Sequence, residues 1–145
     1  MSSLQVAGPD GAAVSTGAAA RFTVTLTGLQ PGTTCTLTVL NNLGQPVCQL
    51  ASGNVGADDA TVRAPAADAP AVFECEVASL PLLPGRYRVD VLVRGTHQIE
   101  DQIDSAAIFE VEAGVLGGRP VSTTGAGDVT FEHRWVVPVL ERGSR

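Results

Sequence analysis

Thr123-Thr124-Gly125-Ala126-Gly127-Asp128 is the segment whose residue types come nearest to catalytic chemistry. Glycines so placed let backbone amides approach a phosphate at a helix N-terminus, and an adjoining aspartate can act as a base. That chemistry needs a helix immediately afterwards. Instead Val129-Thr130-Phe131-Glu132-His133-Arg134-Trp135-Val136-Val137 follows, rich in β-branched and aromatic residues. Such a composition favours a strand, so the phrase reads as a Gly-rich turn. A lysine-bearing phosphate loop is excluded outright, because all 9 basic residues are arginine.

The remaining candidate constellations are sparse. No serine lies in a Gly-x-Ser-x-Gly elbow, and His97 and His133 lack metal-ligand spacing with Cys35, Cys48 and Cys75. Glu100, Asp101 and Asp104 form an acidic stretch without the glycine and oxygen-ligand register of a calcium loop, so a solvated hairpin tip is expected there. Glu74 or Glu76 with Asp90 is the one carboxylate pairing that a glycoside hydrolase could use, and it ranks last among the readings. Trp135, the single tryptophan, offers a flat apolar face of the kind that stacks on a sugar ring, or else fills a core or dimer interface. No cofactor or metal is expected.

The elements that must position these residues are strands. At 145 residues the chain is long enough for one core, and residues 1–145 are read as a single domain. Gly, Pro, Thr, Val and Ala dominate, and no amphipathic helix is legible. From Leu80 to Val111 the chain reads as an apolar lead-in, a Pro84-Gly85 turn, a strand, a polar acidic loop and a second strand. In the first strand Tyr87, Val89, Val91 and Val93 share one face, with Arg86, Arg88, Asp90 and Arg94 on the other. A period of two marks a half-buried strand. Ile108–Glu112 alternates likewise. Further strands are expected at 4–7, 20–27, 34–40, 46–50, 72–78 and 129–137, with a short one near 60–63 inside a long loop over 52–70. Gly8–Gly11, Gln30–Gly32 and Asn41–Gly44 supply turns. The expected fold is an all-β, antiparallel Ig-like or jelly-roll β-sandwich of about eight strands.

A net charge of -6 disfavours nucleic acid and anionic membrane surfaces as partners. Three cysteines without paired spacing argue against a disulfide framework; Cys35 and Cys75 alternate with apolar neighbours as small buried hydrophobes would. No leader or membrane-spanning run is legible, so the chain is expected to be cytoplasmic.

The wording of four segments, in order, resembles the carbohydrate-binding C-terminal domain of Wzt-type ABC-transporter ATPases, which export O-antigen polysaccharide. Val39-Leu40-Asn41-Asn42-Leu43-Gly44-Gln45-Pro46-Val47 is similar to that family's strand–turn–strand. Leu80-Pro81-Leu82-Leu83-Pro84-Gly85-Arg86-Tyr87-Arg88-Val89 resembles its leucine-rich lead-in to a Gly-x-Tyr strand. Ala106-Ala107-Ile108-Phe109-Glu110-Val111, after the loop holding Asp101 and Asp104, looks like its Phe-x-Val strand, and His133-Arg134-Trp135 like its closing segment. The ATPase domain that precedes the module in that family is missing, so the chain is either a fragment of a longer protein or a stand-alone copy.

The resemblance implies a non-catalytic module that holds the non-reducing end of a lipid-linked glycan. It implies a homodimer able to exchange a terminal strand, and an ABC-transporter ATPase and permease as partners. Glycan-binding candidates are Arg88, Asp90, Arg94, Trp135 and His133, joined on an uncommitted sheet face by Thr23, Thr25, Thr36 and Thr38. Such polar groups hydrogen-bond sugar hydroxyls, and arginine pairs with an acidic substituent. The alternative is a structural or protein-interaction sandwich that pairs through a free sheet edge.

Overall fold

The computed structural model describes residues 3–26, 33–52, 71–95, 99–121 and 127–140. The expected Gln30–Gly32 turn, the strand near 60–63 and His97 lie outside them.

Among the described residues the chain forms β1 (Ser3–Ala7), β2 (Val14–Ser15), β3 (Ala20–Leu26), β4 (Thr34–Leu40), β5 (Pro46–Ala51), β6 (Ala71–Val77), β7 (Gly85–Arg94), β8 (Ile99–Glu112), β9 (Val115–Leu116) and β10 (Arg119–Pro120). Two layers result. A three-stranded sheet runs β1-β3-β6, a five-stranded sheet runs β2-β8-β7-β4-β5, and β9 and β10 make a separate small hairpin. All pairings are antiparallel except that of β2 with β8. The all-β sandwich expected from the alternation is therefore the observed fold.

Alternation decides which face is buried. Phe22, Val24 and Leu26 of β3 face Leu37 and Val39 of β4, Tyr87, Val89, Val91 and Val93 of β7, and Phe109 and Val111 of β8 within one core cluster. Phe109 joins the layers: it meets Phe22 edge-on at 5.9 Å and stacks on Tyr87 at 5.7 Å. Aromatic pairs of this geometry add about 0.5–1.5 kcal/mol beyond the area they bury.

The Leu80–Leu83 lead-in is held from two sides and closes one end of the sandwich. Gly17 N–H donates to Leu80 O, and Leu80 N–H to Ala18 O. On the other side Leu83 N–H donates to Asp128 O, and Thr130 N–H to Pro81 O. The buried Thr16 hydroxyl donates to Leu82 O at 2.6 Å. Gly17 has φ +82, and a Cβ there would stand 1.9 Å from Val115 O, so only glycine permits this approach.

Two expectations are corrected. The acidic stretch is no hairpin tip, since residues 100–105 belong to β8, a single 14-residue strand. Its pairing with β7 jumps from Val89↔Ala107 to Val91↔Ile103, so Asp104, Ser105 and Ala106 bulge opposite Asp90. The second correction concerns 129–137. Val129 makes one bridge to Leu82, but residues 131–140 pair with no strand among the described residues and are exposed throughout. An alternating segment becomes a strand only where a neighbour's backbone meets it. The short β2, β9 and β10 were not legible as strands.

Candidate functional site

Strand alternation sends half of β4 and β7 to the core and the other half to the outer face of the five-stranded sheet. Register then fixes the neighbours on that face. Thr34 lies beside Arg94, Thr36 beside Leu92, and Thr38 beside Asp90, while Arg88 lies between Leu40 of β4 and Ile108 of β8. Gln102 and Glu110 of β8 and Gln49 of β5 extend the polar surface. Ile108 is an apolar island within it, 65 % exposed.

The candidates expected on a sheet separate into two groups. Arg88, Asp90 and Arg94 do share this face with Thr36 and Thr38. Thr23 and Thr25 belong to β3 in the other sheet, whose outer surface is on the far side of the sandwich, so they take no part. The same division breaks the carboxylate pairing, since Glu74 and Glu76 of β6 stand on that far surface and Asp90 does not. Glu76 is engaged by Arg21 at 3.2 Å. Arg88 and Arg94 are six residues apart along one strand, about 20 Å, too far for one sugar ring to touch both.

The charged groups of the face differ in what they already hold. Arg86 donates through Nε and Nη2 to Glu110 Oε1, at 3.2 and 2.8 Å, in an exposed ion pair. Asp90 Oδ1 accepts the Ser105 N–H at 2.7 Å. Ser105 is one of two non-glycine residues with positive φ (54°) among those described, a conformation that costs a side-chain-bearing residue about 1–2 kcal/mol. Asp90 is thus the bolt of the β8 bulge, and its carboxylate is partly spent. Arg88 Nε is buried and has no hydrogen-bond acceptor among the described residues.

The turn after β4 borders Arg88 and is tightly made. Asn41, buried at the turn's root, accepts through Oδ1 from the Leu43 and Gln45 amides and donates through Nδ2 to Gln45 Oε1 and Asp128 Oδ2. A side-chain amide closing on its own following backbone is the Asx-turn device. Gly44 (φ +78) completes the turn, and a Cβ there would lie 3.9 Å from Arg88 Nη2. Asp128, the aspartate of the Gly-rich phrase, is therefore a structural acceptor, and residues 128–140 continue without a helix. The Asn41–Asp128 link was not foreseen, although Asn41-Asn42-Leu43-Gly44 carries the Asx-turn signal.

Tyr87 and the thiols belong to the core. The Tyr87 hydroxyl donates to Leu83 O at 2.6 Å, and burial, with Asp128 and Cys48 nearby, pushes it up to about 12. Burial, with Cys75 nearby, pushes the Cys35 thiol up to about 11; Cys48 and Cys75 are also raised, chiefly by burial. All three cysteines are free.

His133 and Trp135 ride on the 131–140 arm rather than on the sheet. Trp135 is 70 % exposed, and Phe131, Val136, Val137, Val139 and Leu140 are exposed with it. His133 Nδ1 lies 2.5 Å from Phe131 O. An open cleft between the arm and the β9–β10 hairpin is lined by Gly117, Arg119, Glu132, His133 and Arg134.

Comparison with known proteins places the fold. No family model matches the chain, and no curated protein matches it in sequence. Among solved structures, the C-terminal domain of Wzt superposes with a TM-score of 0.67 at 10 % sequence identity, covering 93 % of this chain and 81 % of that one. The architecture is thus that of the Wzt C-terminal domain, as the four ordered segments had indicated.

Proposed function

We propose that this chain is a non-catalytic carbohydrate-binding module that holds the modified non-reducing terminus of a lipid-linked, O-antigen-type polysaccharide for ABC-transporter export. The observation that carries the reading is the outer face of the five-stranded sheet, in a fold shared with the Wzt C-terminal domain. Threonine hydroxyls, side-chain amides and the guanidinium groups of Arg88 and Arg94, which make no ion pair among the described residues, stand there around the exposed Ile108 side chain. Polar groups orient a sugar, and an aliphatic surface accepts its C–H side. Binding is weak per site, because such contacts exchange water for protein at little net gain.

The chain works as a homodimer, and the 131–140 arm is its exchanged strand. Six large apolar side chains are exposed on the arm, more than a solvated tail needs. β5 and β6 are the sheet edges that receive it: Val47, Cys48 and Leu50 of one and Phe73, Cys75 and Val77 of the other are only partly buried. Two glycan sites per dimer then raise avidity where chains are dense. The module acts on the cytoplasmic side of the inner membrane beside the transporter's ATPase and permease. No helix among the described residues is long and apolar enough to cross a membrane.

The arm also favours a second reading, a protein-interaction sandwich that donates this strand to a different protein and binds no glycan. Calorimetry decides between them. The host's surface polysaccharide, freed of lipid, should bind saturably, and the same polymer with its non-reducing ends trimmed should not. Equal binding of both polymers overturns terminus recognition, and binding of neither leaves the interaction module.

A further inference from the structure

We propose that Arg88 reads an acidic substituent on the bound sugar, a carboxylate or a phosphate; this deepens the glycan reading above and rests on it. Arg86, two residues before it on the same face of β7, is matched by Glu110. Arg88 is not, for its side chain makes no ion pair or hydrogen bond among the described residues, and its Nε is shielded from solvent without an acceptor. Asp90, two residues along on the same face, already takes the Ser105 amide.

A half-buried guanidinium left without an acceptor destabilises the fold that carries it. Arg88 Nε is the one buried side-chain nitrogen or oxygen without a partner among the described residues, which assigns it to a ligand. The missing partner is an anion, since the fork of Nε and Nη2 matches two oxygens of a carboxylate or phosphate. The surroundings fit a sugar that carries such a group. Ile108 and Leu43 expose aliphatic surface, 65 % and 80 %. Gly44, in a turn fixed by Asn41, adds no side chain beside Nη2. An anion bound by the fork would replace the lost hydration of Nε.

The test follows the arginine Nε–H resonances and backbone amides of the full chain during titration with glucuronate, glucose 1-phosphate, glucose and inorganic phosphate. The Arg88 resonance should shift saturably with an acidic sugar, with affinity about 10-fold or more above glucose and inorganic phosphate. Inorganic phosphate binding as tightly as the acidic sugars overturns a sugar ligand. No response at Arg88, or equal shifts at every arginine, overturns the proposal altogether. Arg88→Met should abolish the shifts at Gly44 and Ile108 while leaving the thermal midpoint unchanged or raised; a purely structural arginine would lower it. Arg88→Lys, which keeps charge without the fork, should lose about 10-fold. Intact polysaccharide binding by Arg88→Met leaves the glycan reading standing and removes this inference. Acidic sugars engaging Arg88 while the polysaccharide fails removes the terminal-glycan reading and keeps this one.

Discussion

Replacing Asp90 with alanine tests whether this residue serves the fold before it serves a ligand. Its Oδ1 accepts the Ser105 N–H at 2.7 Å, where Ser105 has φ 54° and sits among the residues bulged opposite Asp90. A hydrogen bond to a charged group contributes about 1.5–3 kcal/mol, and the partial exposure of this one puts it at about 1–2 kcal/mol. For a domain of this length each kcal/mol moves the melting midpoint by about 2–4 °C, so Asp90→Ala should lower it by about 2–8 °C. Asp90→Asn keeps an acceptor oxygen and should lose less than half of that. Ser105→Gly accepts the left-handed conformation without a side-chain penalty and should restore part of the loss in the alanine background. Differential scanning calorimetry of the parent, Asp90→Ala, Ser105→Gly and the double variant gives the cycle, with Asp90→Asn measured beside them. An Asp90→Ala protein melting within about 1 °C of the parent would refute the bolt.

The single tyrosine provides a pH test. Tyr87 has an ordinary value of 10.0 and is pushed up to about 12 in the fold, so the unfolded chain ionises first. The stability contributed by its neutral form is whole below pH 10 and lost as pH rises towards 12. Phenolate absorbance should show the late titration in the native protein, and Tyr87→Phe should flatten the alkaline fall in urea stability over that window. Thr16→Val strands the Leu82 carbonyl that Thr16 Oγ1 now satisfies at 2.6 Å. It should cost about 1–3 kcal/mol in urea unfolding, and Thr16→Ser should recover most of it. Truncation after Thr130 removes no strand pairing among the described residues. The shortened protein should fold and sediment as a monomer where the full chain is a dimer; a truncated dimer would exclude strand exchange as the dimer contact.

How much of this was legible depended on whether a feature is local. β3, β4 and β7 alternate without interruption, so their buried faces could be read residue by residue. The first half of β8 was hidden because Glu100, Asp101, Gln102, Asp104 and Ser105 give it the polarity of a loop. What makes it a strand is the partner β7, with Asp90 absorbing the bulge. The 131–140 arm failed in the opposite sense, as its apolar pattern satisfies the local rule but no sheet edge among the described residues meets it. The grouping of Thr23 and Thr25 with Arg88 failed because alternation gives a residue's face within a strand, not the sheet to which that strand goes. Arg88, Asp90 and Arg94 were legible as outward-facing residues. Which of them is already engaged was not, since Ser105 reaches Asp90, as Glu110 reaches Arg86 beside them, only through register.

The central claim is that the outer face of the five-stranded sheet holds a glycan terminus. The most direct measurement is a two-dimensional NMR titration of the isotope-labelled chain with the host's lipid-free surface polysaccharide, alongside an end-trimmed control. The account predicts shifts confined to Thr36, Thr38, Arg88, Gln102, Ile108 and their neighbours, absent with the trimmed polymer. Shifts on the Thr23–Thr25 surface instead, or none at about millimolar polymer ends, where weak sites of this kind bind, would contradict it.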